Sequence, residues 1–153
     1  MYDTKITKAL ITVHELLSPV AKDWMIIGTT SLFLQGYDVK PNDIDILCSA
    51  AVVFHIDKAL SLYKNQLEKS FGQDKFRSIF SRYNIEGIEV ELMGDLEVNT
   101  GTGWINLNHN LNNPDQILFH NKMFRVPCKT DQLIIYNLFG REKDKCAIKM
   151  LKQ

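Results

Sequence analysis

Ile26-Ile27-Gly28-Thr29-Thr30-Ser31 and, a short way downstream, Asn42-Asp43-Ile44-Asp45-Ile46 decide how this chain is read. In an extended strand side chains alternate, so Asp43 and Asp45 leave one face while Ile44 and Ile46 leave the other. Two carboxylates side by side repel, and one pKa rises unless a divalent cation neutralises the pair; hard oxygen donors of this kind suit Mg²⁺. Lys40-Pro41-Asn42-Asp43 also has the composition of a plain turn. Upstream, Gly28 permits close backbone approach to a ligand. A short helix expected from Ser31 to Gln35, with Thr29 or Thr30 as N-cap and Gly36 at its end, would present free N–H groups to a phosphate. The hydroxyls of Thr29, Thr30 and Ser31 add donors, although a simple helix cap accounts for the same residues. Lys40 is a further phosphate contact or a solvated turn lysine.

The 153 residues, 45% of them hydrophobic, fit a single domain spanning 1–153 with a substantial core. Eighteen basic and eighteen acidic side chains cancel, so no global charge draws the chain to nucleic acid or an acidic membrane. Cys48, Cys128 and Cys146 are odd in number and widely spaced, which argues against a disulfide framework or a zinc site. His14, His55, His109 and His120 show no metal spacing either. Asp3, Lys5 and Lys8 interrupt any apolar run near the N-terminus, so neither signal peptide nor membrane span is expected and a cytoplasmic location follows by default.

Hydrophobic spacing lays out the rest. Ile6, Leu10, Val13, Leu16 and Leu17 mark an amphipathic helix ended by Ser18-Pro19, and Trp24 to Ile27 is a buried strand stopped by Gly28. Ile44 to Cys48 continues a second strand. Val52, Val53, Ile56, Ala59, Leu60, Tyr63 and Leu67 predict a longer helix after it. Phe76 to Tyr83 and Ile88 to Met93 are expected to pair as a hairpin through Asn84-Ile85-Glu86-Gly87. Thr100 to Asn113 reads as a long loop with one strand at Trp104 to Leu107. Lys122 to Val126 is a last strand, and Asp131 to Phe139 and Glu142 to Leu151 form a helical pair broken at Gly140. Trp104, Phe71, Phe76, Phe80 and Tyr83 can stack a base, though strand aromatics more often belong to a core.

Along Ile88-Glu89-Val90-Glu91-Leu92, alternation buries the aliphatic residues and sends both glutamates to the other face. Glu91 then completes a carboxylate triad, or both acids simply face solvent. The order of glycine-hydroxyl turn, Asp-x-Asp strand and hairpin strand with a third acid resembles the nucleotidyltransferase superfamily. Ile27-Gly28-Thr29, Asp43-Ile44-Asp45 and Val90-Glu91-Leu92 match its three motifs in order, with threonine for serine and glutamate for aspartate. The strings IIGTTSLFLQGYDVKPNDIDI and VELMGD are similar to small single-domain members related to abortive-infection and lincosamide-type nucleotidyltransferases. The resemblance covers about Trp24 to Asp95. VPCKTDQLIIYNLFGREKDKCAI is similar to the C-terminal helix pair of those relatives, with Arg141-Glu142-Lys143-Asp144 as its Arg-x-Lys-Asp turn. Asn137 and Ala147 depart from it, standing where relatives often carry a lysine and an aspartate.

The resemblance implies an α/β (α+β) fold, a mixed sheet flanked by helices with a C-terminal helix pair. It further implies transfer of a nucleoside monophosphate from an NTP to a hydroxyl acceptor, with one or two Mg²⁺ ions on Asp43 and Asp45. Glu91 would be a metal ligand or general base, and the triphosphate would be held at Gly28, Thr29, Thr30, Ser31 and Lys40. The balanced charge makes a small molecule or a protein hydroxyl at least as good an acceptor as RNA. The competing readings are a catalytically silent member acting as a binding or antitoxin-like partner, and a structural domain whose acids are surface charges.

Overall fold

The computed structural model describes residues 4–65, 74–108, 111 and 113–153. Helix α1 (Thr4–Leu17) forms because Ile6, Leu10, Val13 and Leu17 fall on one face and are fully buried; it ends just ahead of Pro19. Strand β1 (Trp24–Ile27) is buried at every position and runs directly into α2 (Gly28–Leu34). The sequence reading placed the start of this helix at Ser31 with a threonine cap. In the structure Ile27 is the N-cap and no side chain caps the helix. Gly28 is the reason: at φ +73° it takes a left-handed conformation that other residues adopt only with strain, and it turns strand into helix in one step.

Strand β2 (Asp43–Cys48) pairs antiparallel with β1 and parallel with β4 (Ile88–Asn99), while β3 (Phe76–Ile85) pairs antiparallel with β4. The sheet order is β1-β2-β4-β3, with β5 (Trp104–Asn106) added along the far end of β4. The β3–β4 hairpin turns on Glu86 and Gly87, at φ 55° and 78°, the two positive values that a tight two-residue hairpin turn demands.

Helix α3 (Ala50–Ala59) is shorter than its apolar spacing suggested. After Leu60 the chain tightens into a 3-10 turn (Ser61–Tyr63) and is drawn onto β3, where the Asn65 amide donates to the Arg82 carbonyl at 2.9 Å. Leu67, the last residue of the expected helix, lies outside the described residues, as do Phe71 and His109.

β4 runs well past its expected end at Met93 because Asp95, at φ 47°, shifts the alternation without ending the pairing. Ile88, Val90 and Leu92 therefore join the core under α1 and α3, whereas Leu96 and Val98 join a second core with Met25, Ile27 and Leu47 on the opposite face. The displaced Asp95 carboxylate accepts a hydrogen bond from the Ala50 amide at 2.9 Å, satisfying an N–H at the start of α3.

Strand β6 (Pro114–Phe119) was not foreseen. It pairs with β7 (Lys122–Pro127), which buries Phe124 and Val126 beside Trp24. Helices α4 (Lys129–Phe139) and α5 (Glu142–Leu151) match the expected pair; Gly140 at φ 65° separates them. Ile135 and Phe139 of α4 close the second core. Cys48, Cys128 and Cys146 are free thiols. No helix among the described residues is long and apolar enough to cross a membrane.

Candidate active site

The β2–β4 register places Asp43 opposite Glu89 and Asp45 opposite Glu91, while Ile27, the last residue of β1, lies opposite Asp45. Alternation then sends Asp43, Asp45 and Glu91 from the same face that continues inward as Leu47 and Met93. All three acids line one cavity of about 680 Å³, with Gly28 and Thr29 on one side and Tyr136, Arg141 and Lys143 of the C-terminal helices on another. Phe76, Phe80 and Phe139 give the cavity an aromatic wall.

Asp45 carries the largest electrostatic cost in this cavity. Burial, followed by repulsion from Asp43 and Glu91, pushes its carboxyl up from 3.8 to about 7, against the partial relief of Lys143 and Arg141. Burial also raises Glu91, opposed by the Arg82 guanidinium. Arg82 meets Glu91 at 3.4 Å and Glu89 at 3.0 Å, the latter as an ion pair whose angle is not that of a hydrogen bond. Of the two glutamates only Glu91 lines the cavity. Gly28 approaches Asp45 so closely that a Cβ there would stand 2.8 Å from Oδ2.

The expected phosphate-binding set divides. Gly28 and Thr29 line the cavity, but Thr30, Ser31 and Lys40 do not. Because α2 begins at Gly28, Thr30 and Ser31 fall in its first turn and are buried. Thr30 Oγ1 donates to the Asp43 carbonyl at 2.5 Å and Ser31 Oγ to the Gly28 carbonyl at 2.6 Å, so both hydroxyls fasten the motif and neither faces the cavity. Lys40 is exposed on the connection to β2. Of the aromatic candidates, Phe76 and Phe80 reach the cavity; Tyr83 is buried and bonded to Asp57, and Trp104 stacks under the Arg77 guanidinium at 4.1 Å. Asn137 turns back to donate to the Leu133 carbonyl of its own helix.

Among the described residues no three His, Cys, Asp or Glu side chains gather closely enough to hold a metal ion by themselves. Glu91 shares a face with the aspartates but is drawn toward Arg82. Asp43 and Asp45 nevertheless fit Mg²⁺, which takes one or two protein carboxylates and completes its octahedron with water and phosphate oxygens. Two hard carboxylates on one strand face, beside a glycine with no side chain to fill the gap, are a donor set such an ion can use.

Arg82 escaped the sequence reading although a signal existed. Once the hairpin turn is fixed at Glu86-Gly87, counting back along both strands sets Arg82 opposite Glu91. Gln132 and Tyr136, which reach Ser31 from α4, left no such signal, because their target is set by helix docking.

No protein-family model matches the sequence, and no curated protein sequence matches it. Solved structures do. A crystal structure of a candidate nucleotidyltransferase from Thermotoga maritima superposes with a TM-score of 0.77 at 24% identity, over 99% of this chain and 96% of that one. The lincomycin-bound lincosamide antibiotic adenylyltransferase LnuA superposes with a TM-score of 0.64 at 16% identity, over 95% of this chain and 96% of that one. At these identities the likeness speaks for the fold, and the fold of this chain is nucleotidyltransferase-like, as its three motifs imply.

Proposed function

We propose that the chain is an NTP-dependent nucleotidyltransferase that moves a nucleoside monophosphate onto a hydroxyl of a small-molecule acceptor. The observation that carries this reading is the Asp45 carboxyl, half-buried beside Asp43 and Glu91 in a cavity lined by Gly28 and Thr29. Such an arrangement is costly in the free protein and suited to a bound cation. The cavity volume supports a small acceptor, since clefts of about 300–1,000 Å³ are the usual size for small ligands. The similarity to an antibiotic adenylyltransferase points the same way.

In this reading Asp43 and Asp45 hold Mg²⁺, which when bound supplies neutralisation of the phosphate oxygens. The chain's own groups position the reactants. The Gly28–Thr29 backbone admits the triphosphate next to Asp45, and Lys143 adds positive charge from the C-terminal helices. The acceptor oxygen attacks the α-phosphorus, the bond from that phosphorus to the bridging oxygen breaks, and pyrophosphate leaves. The acceptor's proton passes to the Glu91 carboxylate, whose proton affinity burial raises and Arg82 moderates. Arg141 stays paired with Asp144 at 2.7 Å and lines the cavity.

The test is incubation with Mg²⁺, an α-labelled NTP and a panel of hydroxyl-bearing small molecules, read by mass spectrometry. A product heavier by one nucleoside monophosphate, released with pyrophosphate and lost in Asp45→Asn, is the expected result. Mg²⁺-dependent NTP binding without transfer to any acceptor would favour the silent binding partner instead.

A further inference from the structure

We infer that Gln132 is a positioning residue: acting through Ser31, it fixes the backbone at Gly28 and so sets the gap between that turn and the Asp45 carboxylate. The inference rests on the reading of this cavity as a nucleotide site. Gln132 lies on α4 and is 1% exposed, and it does not line the cavity. Its Nε2 donates to Ser31 Oγ at 2.9 Å, and Ser31 Oγ donates in turn to the Gly28 carbonyl at 2.6 Å. Tyr136, one helical turn further along α4, shares the same serine hydroxyl and does line the cavity. Ser31 spends its single proton on Gly28 and keeps its lone pairs for the two α4 side chains. Removing Gln132 takes away the anchor of the Ser31 hydroxyl, and removing the hydroxyl takes away the side-chain bond on the Gly28 carbonyl. Gly28 lies close enough to Asp45 that a Cβ on it would stand 2.8 Å from Oδ2, so a shift of this backbone changes the gap to the carboxylate.

The other end of Gln132 separates positioning from simple core filling. Its Oε1 is buried with no hydrogen-bond partner among the described residues. A buried orphan acceptor is a cost that an apolar side chain of equal length would not carry. Methionine would fill the same space without that cost, so what the amide adds at this position is the hydrogen bond its other atom makes to Ser31.

The experiment compares wild type, Gln132→Met, Ser31→Ala and the double variant, titrating a non-hydrolysable ATP analogue with Mg²⁺ by calorimetry and recording thermal midpoints. Gln132→Met is expected to keep or raise the midpoint while weakening analogue binding by about tenfold, the usual scale for partners that orient a binding group. Ser31→Ala should weaken it similarly, and the double variant no further, because Gln132 acts only through Ser31. Wild-type affinity in Gln132→Met, additive losses in the double variant, or losses that track melting would overturn the inference. Should Gln132→Met fail to fold, Gln132→Leu takes its place in the same comparison, an affinity loss at an unchanged midpoint supporting the link and wild-type affinity overturning it. Failure of wild type to bind the analogue at all would overturn the nucleotide reading itself and this inference with it.

Discussion

Asp45→Asn preserves the shape of a half-buried side chain and removes its charge, so in the metal-free protein it should stabilise the fold at alkaline pH. The Asp45 carboxyl sits at about 7 in the folded state against 3.8 unfolded. Between those values the folded state holds one more proton than the unfolded state, so stability falls as pH rises and the full loss is present above pH 7. A displacement of about three units at roughly 1.4 kcal/mol each sets a ceiling near 4 kcal/mol. The cavity opens to water, which screens the charge and leaves about 1–2 kcal/mol as the expected effect. Glu91, also raised, adds to the trend with the same sign. Urea unfolding of both proteins without metal, at about pH 5 and about pH 8.5, isolates the Asp45 contribution as the difference between them. Asp45→Asn should gain on wild type by about two-thirds of that amount on moving to the higher pH, the rest having accumulated below pH 5. A difference that stays constant across the interval would refute the claim that Asp45 is held against its charge.

Gly28→Ala should cost about 1–3 kcal/mol in denaturant unfolding, because φ +73° strains any side chain and the new Cβ meets Asp45 Oδ2 at 2.8 Å. That loss also makes Gly28 substitutions poor probes of nucleotide binding alone. Arg82→Gln removes the cation that moderates Glu91, so the acid limb of the pH–rate profile should move to higher pH; an unmoved limb would deny Glu91 the role of base. Tyr83→Phe should destabilise by about 1 kcal/mol in the same unfolding assay, since it strips a hydrogen bond from Asp57 and leaves Lys64 as that carboxylate's charged partner.

The parts of the architecture set by short-range chemistry were legible in the sequence. Periodicity located α1 and the α4–α5 pair, and the Glu86-Gly87 turn located the hairpin, whose register in turn fixes Arg82 against Glu91. Alternation put Asp43 with Asp45 and Glu89 with Glu91 on one face of each strand, and the parallel β2–β4 pairing sets Asp45 opposite Glu91. What escaped depends on longer-range geometry. The positive φ of Gly28 moved the start of α2 forward and turned Thr30 and Ser31 inward, so two hydroxyls read as phosphate donors serve the backbone instead. The αL residue Asp95 kept β4 paired beyond Met93 and switched its inner face. The link from Gln132 through Ser31 to Gly28 spans 101 residues of sequence at its first step and exists only because α4 docks against α2.

The central claim is that Asp43 and Asp45 form a divalent-ion site that admits a nucleoside triphosphate beside Gly28. Calorimetric titration of a non-hydrolysable NTP into wild type, Asp43→Asn and Asp45→Asn, each with Mg²⁺ and with a chelator, tests it most directly. Wild type should bind only with Mg²⁺ present, and both variants should lose binding while their thermal unfolding remains cooperative. Binding that persists in the chelator, or that survives unchanged in either folded variant, would contradict it.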